Sequence, residues 1–319
     1  MNINLLIQNG DNTMIPVVED GMQWLTERQG SPGELTFTVL KDAKLNFVEG
    51  NAVRLQVGNT GVFFGFVFKK KPNKDGTIEV TAYDQMRYLK NKDTYVYSNK
   101  RADEVIRMIA KDFGMNVGSL ENTAYKIPSR VEDNVSLFDM ILNAVDLTLQ
   151  NNGRQYVFYD DFGKLTLKRI QSMAVDYLVD ASTAEDFDYE SSIDSDTYNR
   201  VKLIRENEEK GIREVFISQD SKNMNSWGVL QHFDKLEENE NGKAKADALL
   251  KLYNHKTRRL SVQNALGDLR VRGGSMVVVA LNLGDVVVSN MMLVEKCTHH
   301  FSKDEHFMDL TLRGGEFIA

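Results

Sequence analysis

A cysteine and three histidines crowd one short stretch near the end of the chain. Cys297-Thr298-His299-His300 is followed six residues on by His306. Strand side chains alternate between faces, so Cys297 and His299 share one face. A thiolate activated by an imidazole, or part of a metal site, is the chemistry that such a pair supports. The plainer reading is a terminal hairpin with some of these side chains solvated and others packed. It is favoured because the three histidines lack a fourth ligand to close a zinc site. Cys297 is the only cysteine, so no disulfide forms within one chain.

Other polar stretches also read more simply as structure. Arg270-Val271-Arg272-Gly273-Gly274 and Lys256-Thr257-Arg258-Arg259 are dense enough in charge to line a phosphate site, but solvated faces and interface ion pairs account for them better. Lys69-Lys70-Lys71 marks a turn or a strand edge guarded against aggregation. Phe63-Phe64-Gly65-Phe66-Val67-Phe68 has the aromatics of a sugar platform, yet a β core or a subunit interface explains it. Trp24 and Trp227 stand alone and read as core or interface. The chain lacks a G-x-S-x-G elbow, a P-loop, a G-x-G-x-x-G turn and an H-E-x-x-H helix. Distant paired carboxylates leave no such signature, so a hydrolase stays open as the alternative. The expectation is a chain that is not an enzyme, with no catalytic, cofactor-binding or metal residue assigned and no cofactor.

The elements around these residues are mostly β. Leu35, Phe37 and Val39 alternate with polar neighbours, as do Val53, Leu55 and Val57, and Ile78, Val80 and Ala82. That period of two buries one face and wets the other. Gly58-Asn59-Thr60-Gly61 and Asn73-Lys74-Asp75-Gly76 are turns between strands. The period changes near Ser98. Val105, Ile106, Ile109 and Phe113 lie on one helical face from Ala102 to Phe113, with Gly114 as its C-terminal cap. A second helix starts at Ser136, with Asp139 in capping-box spacing and Leu137, Ile141, Leu142, Val145 and Leu149 as its apolar face. Tyr156 to Tyr159 and Leu165 to Leu167 then form a hairpin. Val201 to Ile204 and Val215 to Ile217 flank a charged turn ending at Gly211. Glu237 to Lys245 is the best linker, and Ala246 to His255 is helical. Val277 to Val279, Val286 to Val288, Met291 to Phe301 and Phe307 to Leu312 are strands.

A weak internal echo runs through this order. Gly50-Asn51-Ala52-Val53-Arg54-Leu55 resembles Gly274-Ser275-Met276-Val277-Val278-Val279. Each is followed by a glycine turn, a long strand entering a lysine-containing turn, and a closing alternating strand. The order suggests two similar β-domains with an α+β unit between them, although any two antiparallel β-domains would look alike at this level.

At 319 residues the chain implies two or three domains. It carries 39 basic and 46 acidic residues, a net charge of -7. Nucleic-acid affinity rests on neutralising phosphates, so stable DNA binding is disfavoured. No apolar run approaches the roughly 18 residues that span a bilayer, and membrane insertion is not expected. Met1 to Ile7 lacks a basic n-region and Gln8-Asn9-Gly10-Asp11 cuts its apolar stretch short, so no signal peptide is expected.

Two further stretches carry a resemblance. One is Ala265-Leu266-Gly267-Asp268-Leu269-Arg270-Val271-Arg272-Gly273-Gly274-Ser275-Met276-Val277, between the Lys243 to Leu260 helix and the terminal hairpin. The other joins Arg101 to Ile106, Ala110 to Gly114 and Ser136 to Asp139. In order and spacing these resemble the XkdQ/YqbQ family, hub proteins of phage tails and of phage-derived, tail-like bacteriocins. The resemblance covers the whole chain. It implies an α+β, mainly β fold, with two tube-like antiparallel β-barrel domains flanking a small α+β domain. The boundaries expected are 1–97, 98–185 and 186–319, the last with a polar and helical insertion around 220–256. It further implies a homotrimer whose six β-domains form a pseudo-sixfold ring between a hexameric tail tube above and a trimeric spike below, alongside other baseplate proteins of a contractile tail. DNA could pass through its lumen. Such a protein assembles in the bacterial cytoplasm and ends in a particle released by lysis. A tail-associated cell-wall hydrolase and a cell-wall-binding module are the alternatives.

Overall fold

A computed structural model describes residues 1–194, 196–207, 211–236, 241–282 and 287–314. Val286 and residues 237–240 of the linker candidate lie outside them.

The N-terminal β unit holds β1 (Ile3–Asn9), β2 (Asn12–Met14), β3 (Met22–Glu27), β4 (Glu34–Leu40), β5 (Ala52–Val57), β6 (Thr60–Pro72) and β7 (Thr77–Tyr83). The alternating apolar positions do bury one face: Leu35, Phe37, Val39, Val53, Leu55, Ile78, Val80 and Ala82 are all core. A 3-10 turn, Gln85–Lys90, leads into the middle unit. That unit holds β8 (Lys92–Lys100), α1 (Ala102–Asp112), β9 (Val117–Leu120), β10 (Ile127–Ser136), α2 (Leu137–Asn152), β11 (Tyr156–Asp160) and β12 (Leu165–Arg169). Ser136 Oγ accepts from Asp139 N at 3.1 Å and caps α2. Gly114 has φ +63° just beyond α1. The facing sides of the two helices bury Val105, Ile106, Ile109, Leu137, Ile141 and Val145 in one core.

The C-terminal β unit holds β13 (Ala174–Val179), β14 (Asp186–Ser192), then β18 (Thr257–Leu266), β19 (Met276–Asn282), β20 (Val287–Phe301) and β21 (His306–Gly314). Between β14 and β18 the chain builds a smaller unit. Its sheet is ordered β16 (Ile212–Gln219), β15 (Arg200–Asn207), β17 (Gln231–Lys235), and it carries α3 (Ser221–Trp227) and α4 (Gly242–Tyr253). Asn241, inside the linker candidate, accepts from Ala244 N and caps α4.

Both large β units belong to one 13-stranded sheet. Its path runs β14-β18-β21-β20-β3-β4-β7-β6-β5-β1-β2, with β19 on the same edge of β20 as β3, along its first half, and β13 beside β19. The expectation of two antiparallel barrels therefore needs correction: among the described residues neither unit closes. A barrel closes when its last strand pairs with its first, and β3 has its second edge taken by β20 instead. The pairing is also mixed, since β13 runs parallel to β19, β9 to β12 and β17 to β15.

The two units share a strand order. Numbering six strands of each along the chain, and leaving out β2, both read 1-4-5-6-3-2 across the sheet. The match reaches single residues. Phe66 and Val67 pair with Tyr83 and Ala82, a bulge follows at Phe68, and pairing resumes at Lys69 with Thr81. Leu293 and Val294 pair with Arg313 and Leu312, a bulge follows at Glu295, and pairing resumes at Lys296 with Thr311. Gly50 N donates to Val67 O at 2.8 Å, and Gly274 N to Val294 O at 2.7 Å. Both glycines take positive φ, +88° and +96°, a region open to glycine at little cost. The sequence echo at Gly50 and Gly274 is thus an echo in register.

Candidate functional site: the joint between the two β units

The place where β20 meets β3 gathers most of the residues singled out for chemistry. Six pairs run antiparallel, from Lys296 opposite Glu27 to Phe301 opposite Met22. Pairing with β19 ends at Leu293. Past the Glu295 bulge the edge of β20 is free to take a strand from the other unit. The loop 267–275 lies over this crossing: Gly273 N donates to Thr26 Oγ1 at 2.9 Å. A Cβ on Gly273 would stand 2.5 Å from the carbonyl carbon of Glu27, so this position requires a glycine for close approach. Arg28 closes the end of the joint, with its N–H on Glu295 O at 2.8 Å and its Nε on Glu295 Oε2 at 2.8 Å.

Cys297 and His299 do share a face, and it is the buried one. Cys297 Sγ lies 3.3 Å from His299 Nε2, which also meets Val271 O at 2.8 Å. His299 Nδ1 meets His306 Nε2 at 2.8 Å. The His299 ring stacks on Trp24 with centroids 4.8 Å apart, and Phe301 stacks on His306 at 4.7 Å. Burial pushes the Cys297 thiol well above its ordinary range, opposite to the shift an activated thiolate needs. Burial, then the neighbouring His306, lowers His299 to about 3; burial lowers His306 to about 4. Both rings are neutral near pH 7 and serve as hydrogen-bonding filler of a packed stack. His300 points to the other face and meets Asp309 Oδ2 at 2.7 Å. Among the described residues no group of three or more His, Cys, Asp or Glu side chains is disposed to hold a metal ion.

The basic stretches separate. Arg270 is exposed and pairs with Asp268 at 2.5 Å. Arg272 turns inward, 4.1 Å above the Tyr159 ring and 5.8 Å from that of Trp24, so one guanidinium touches all three large units. Its charge lies near a buried carboxylate pair, Asp84 and Asp160, which no motif connects. Asp84 accepts from Gly33 N at 2.7 Å and Met86 N at 2.9 Å. Asp160 accepts from Gln85 Nε2 at 2.8 Å and Gly163 N at 2.6 Å. Burial raises both carboxyls, and Asp160 adds to the rise at Asp84. They are only 3% and 5% exposed, and their oxygens are held by backbone N–H groups and an amide. The pair fastens the N-terminal unit to the middle unit.

The aromatic strand lies on the same seam. Phe63 is in the core. Phe64 meets Phe162 edge-on at 6.2 Å, and Phe66 and Phe68 meet Tyr88 at 5.9 and 5.6 Å. Trp24 is buried at the joint, while Trp227 ends α3 half-buried. Arg258 and Arg259 line a pocket of about 250 Å³ with Glu190, Glu295 and Arg313, and Lys256 precedes it. The lysine run forms the outer half of β6. Lys70 Nζ donates to Phe47 O at 2.6 Å and sits 4.4 Å over the Phe47 ring; Lys71 pairs with Glu79 at 3.1 Å.

The joint is broad and largely buried, and the chain that builds it is similar in sequence and in shape to known proteins. The phage-like element PBSX protein XkdQ of Bacillus subtilis (strain 168) is 31% identical over 268 residues, covering 82% of this chain and 81% of its own. YqbQ of the same organism, uncharacterized, is 32% identical, covering 82% and 80%. The fold is shared with the 43 kDa tail protein of prophage MuSo2 from Shewanella oneidensis, at a TM-score of 0.70 and 12% identity over 98% of both chains. A family described as YQBQ-like matches residues 22–313, nearly the whole of the joined sheet and everything it carries, and the chain belongs to that family.

Proposed function

We propose that the chain is the baseplate hub of a contractile, phage-type tail. Three copies form a ring of six quasi-equivalent β units. The sixfold side mates with a hexameric tail tube, and the true threefold side with a trimeric spike, next to other baseplate proteins. The observation that carries this reading is the duplication in register, with two units of one strand order fused into one sheet by β20 and β3. A symmetry adaptor needs two similar surfaces on one chain, and closed cyclic symmetry limits each contact to one repeated patch pair. The hub works by contact and not by catalysis. Its net charge of -7 lets a polyanion pass a lumen without sticking. It assembles in the bacterial cytoplasm and leaves in the particle when the cell lyses.

Light scattering of the full chain, alone and with the neighbouring spike protein, tests this. A threefold mass in either sample is the expected result. A strict monomer in both sinks the ring.

A further inference from the structure

We infer that copies of this chain join head to tail through β6 of one and β14 of the next, an intermolecular repeat of the β20–β3 joint already present inside each chain. The inference rests on the ring reading above and names its contact.

The register match dictates the partners. Matched through β7 and β21, β6 corresponds to β20; matched through β4 and β18, β3 corresponds to β14. Inside the chain the long strand of the C-terminal unit takes the edge strand of the N-terminal unit. The long strand of the N-terminal unit and the edge strand of the C-terminal unit are the two members left over. Among the described residues both have an open edge: pairing of β6 with β5 ends at Phe66, and β14 is bonded only to β18. The overlying loop does not forbid the joint, because its counterpart sits over β20 in the same way. Lys70 reaches Phe47 O as Cys297 reaches Val271 O.

Burial carries the argument further. On β3, Met22 and Trp24 are 3% and 4% exposed because β20 covers them. Their counterparts on β14, Phe187 and Tyr189, are only half-buried against the core of their own unit. The same row is sealed where a long strand lies beside it and open where none does.

Charge selects the occupant. β14 presents Asp186, Asp188 and Glu190, and the open part of β6 presents Lys69, Lys70 and Lys71. Carrying the internal register across places Lys71 opposite Glu190, Lys70 opposite Ser191 and Lys69 opposite Ser192. The row through Lys71 then alternates in sign over four strands, from Arg259 through Glu190 to Lys71 and Glu79. Opposite charges on directly facing strand positions attract and like charges repel, so β6 rejects another β6 and accepts β14. Pro72 has no N–H to donate and ends the ladder there. The intermolecular joint is therefore shorter than the internal one and depends more on charge.

The test is a disulfide across the projected register. The full chain carrying Lys71→Cys and Glu190→Cys is oxidised over a range of concentrations, beside the wild type in light scattering. The expected products are covalent trimers that resist denaturant until reduced. Lys71→Glu alone and Glu190→Lys alone each weaken association about tenfold, and combining them restores it. A wild-type ring with no cross-link and no charge-swap rescue overturns the β6–β14 joint and leaves the ring standing. A wild type that stays monomeric, with no cross-link, overturns both.

Discussion

Trp24 and Tyr189 occupy the same position in two copies of one design, and their surroundings differ. Trp24 lies between Leu35 on one side and His299 on the other. Tyr189 has Leu260 on one side and an open edge on the other. The loops differ in the same sense: Gly273 lets β3 press close, whereas the corresponding position in the N-terminal unit is Glu49, which no joint presses upon. The two units share a frame of five antiparallel strands, β3-β4-β7-β6-β5 and β14-β18-β21-β20-β19. The internal fusion then committed one pair of edges and left the other pair for a contact outside the chain.

The sharpest way to break that contrast is to cut both residues back. Trp24→Ala is expected to cost about 3–5 kcal/mol of unfolding free energy, the range for emptying a buried aromatic site. Tyr189→Ala in the isolated chain should cost under about half as much, since less of it leaves water. Equal losses in denaturant titrations would mean that the β14 edge is not open at all.

Acid should find the committed joint first. His299 and His306 have folded values lowered from 6.5 to about 3 and about 4. Unfolded chains take up these protons near pH 6.5 and the folded chain does not, so stability is full above pH 6.5 and falls as pH drops towards 4 and 3. The raised Asp84 and Asp160 act in the opposite sense, holding protons in the fold that the unfolded chain has released. A net loss of stability between pH 7 and pH 4 is expected, and His299→Phe should lessen it. The N-terminal unit has Pro72 where His299 stands. A melt whose acid sensitivity survives His299→Phe unchanged would place the cause elsewhere.

Gly273→Ala pushes a methyl group towards Glu27 and should cost about 1–3 kcal/mol as an overpacked contact. Glu49→Ala, at the matching position, should be near neutral. Smallest is Lys70→Met, which removes one charge-assisted hydrogen bond to Phe47 O and should cost about 1 kcal/mol in thermal melts. A larger loss would show that the lysine stabilises the free unit as much as Cys297 packs the committed one.

Local signals in the sequence were legible because they are local. Ser136 with Asp139, Gly114 after Phe113, and the alternations around Phe37, Leu55 and Val80 each act within a few residues. The echo of Gly50 in Gly274 was visible too, since it marks a turn that only glycine makes easily. The β20–β3 crossing was not legible. It joins strands some 270 residues apart, and edge pairing leaves no mark in composition. The depth of Cys297 and His299 escaped for a related reason: alternation says which residues share a face, and the face itself is decided by what else docks there. Asp84 and Asp160 each make one local bond, to Met86 N and Gly163 N, that reads as an ordinary turn; what brings them together is distant, the bonds to Gly33 N and to the Gln85 amide.

The direction of the β20–β3 crossing also decides how it answers to force. Six residue pairs lie side by side along one strand. A pull along that strand loads all of their hydrogen bonds together, in shear. A pull across it opens them one after another, as a zipper. The Arg28 and Glu295 clasp sits at the end where such peeling would begin. A chain joined in this way is stiff to thrust along β20 and yields most readily to a sideways tug, with the clasp setting the first threshold.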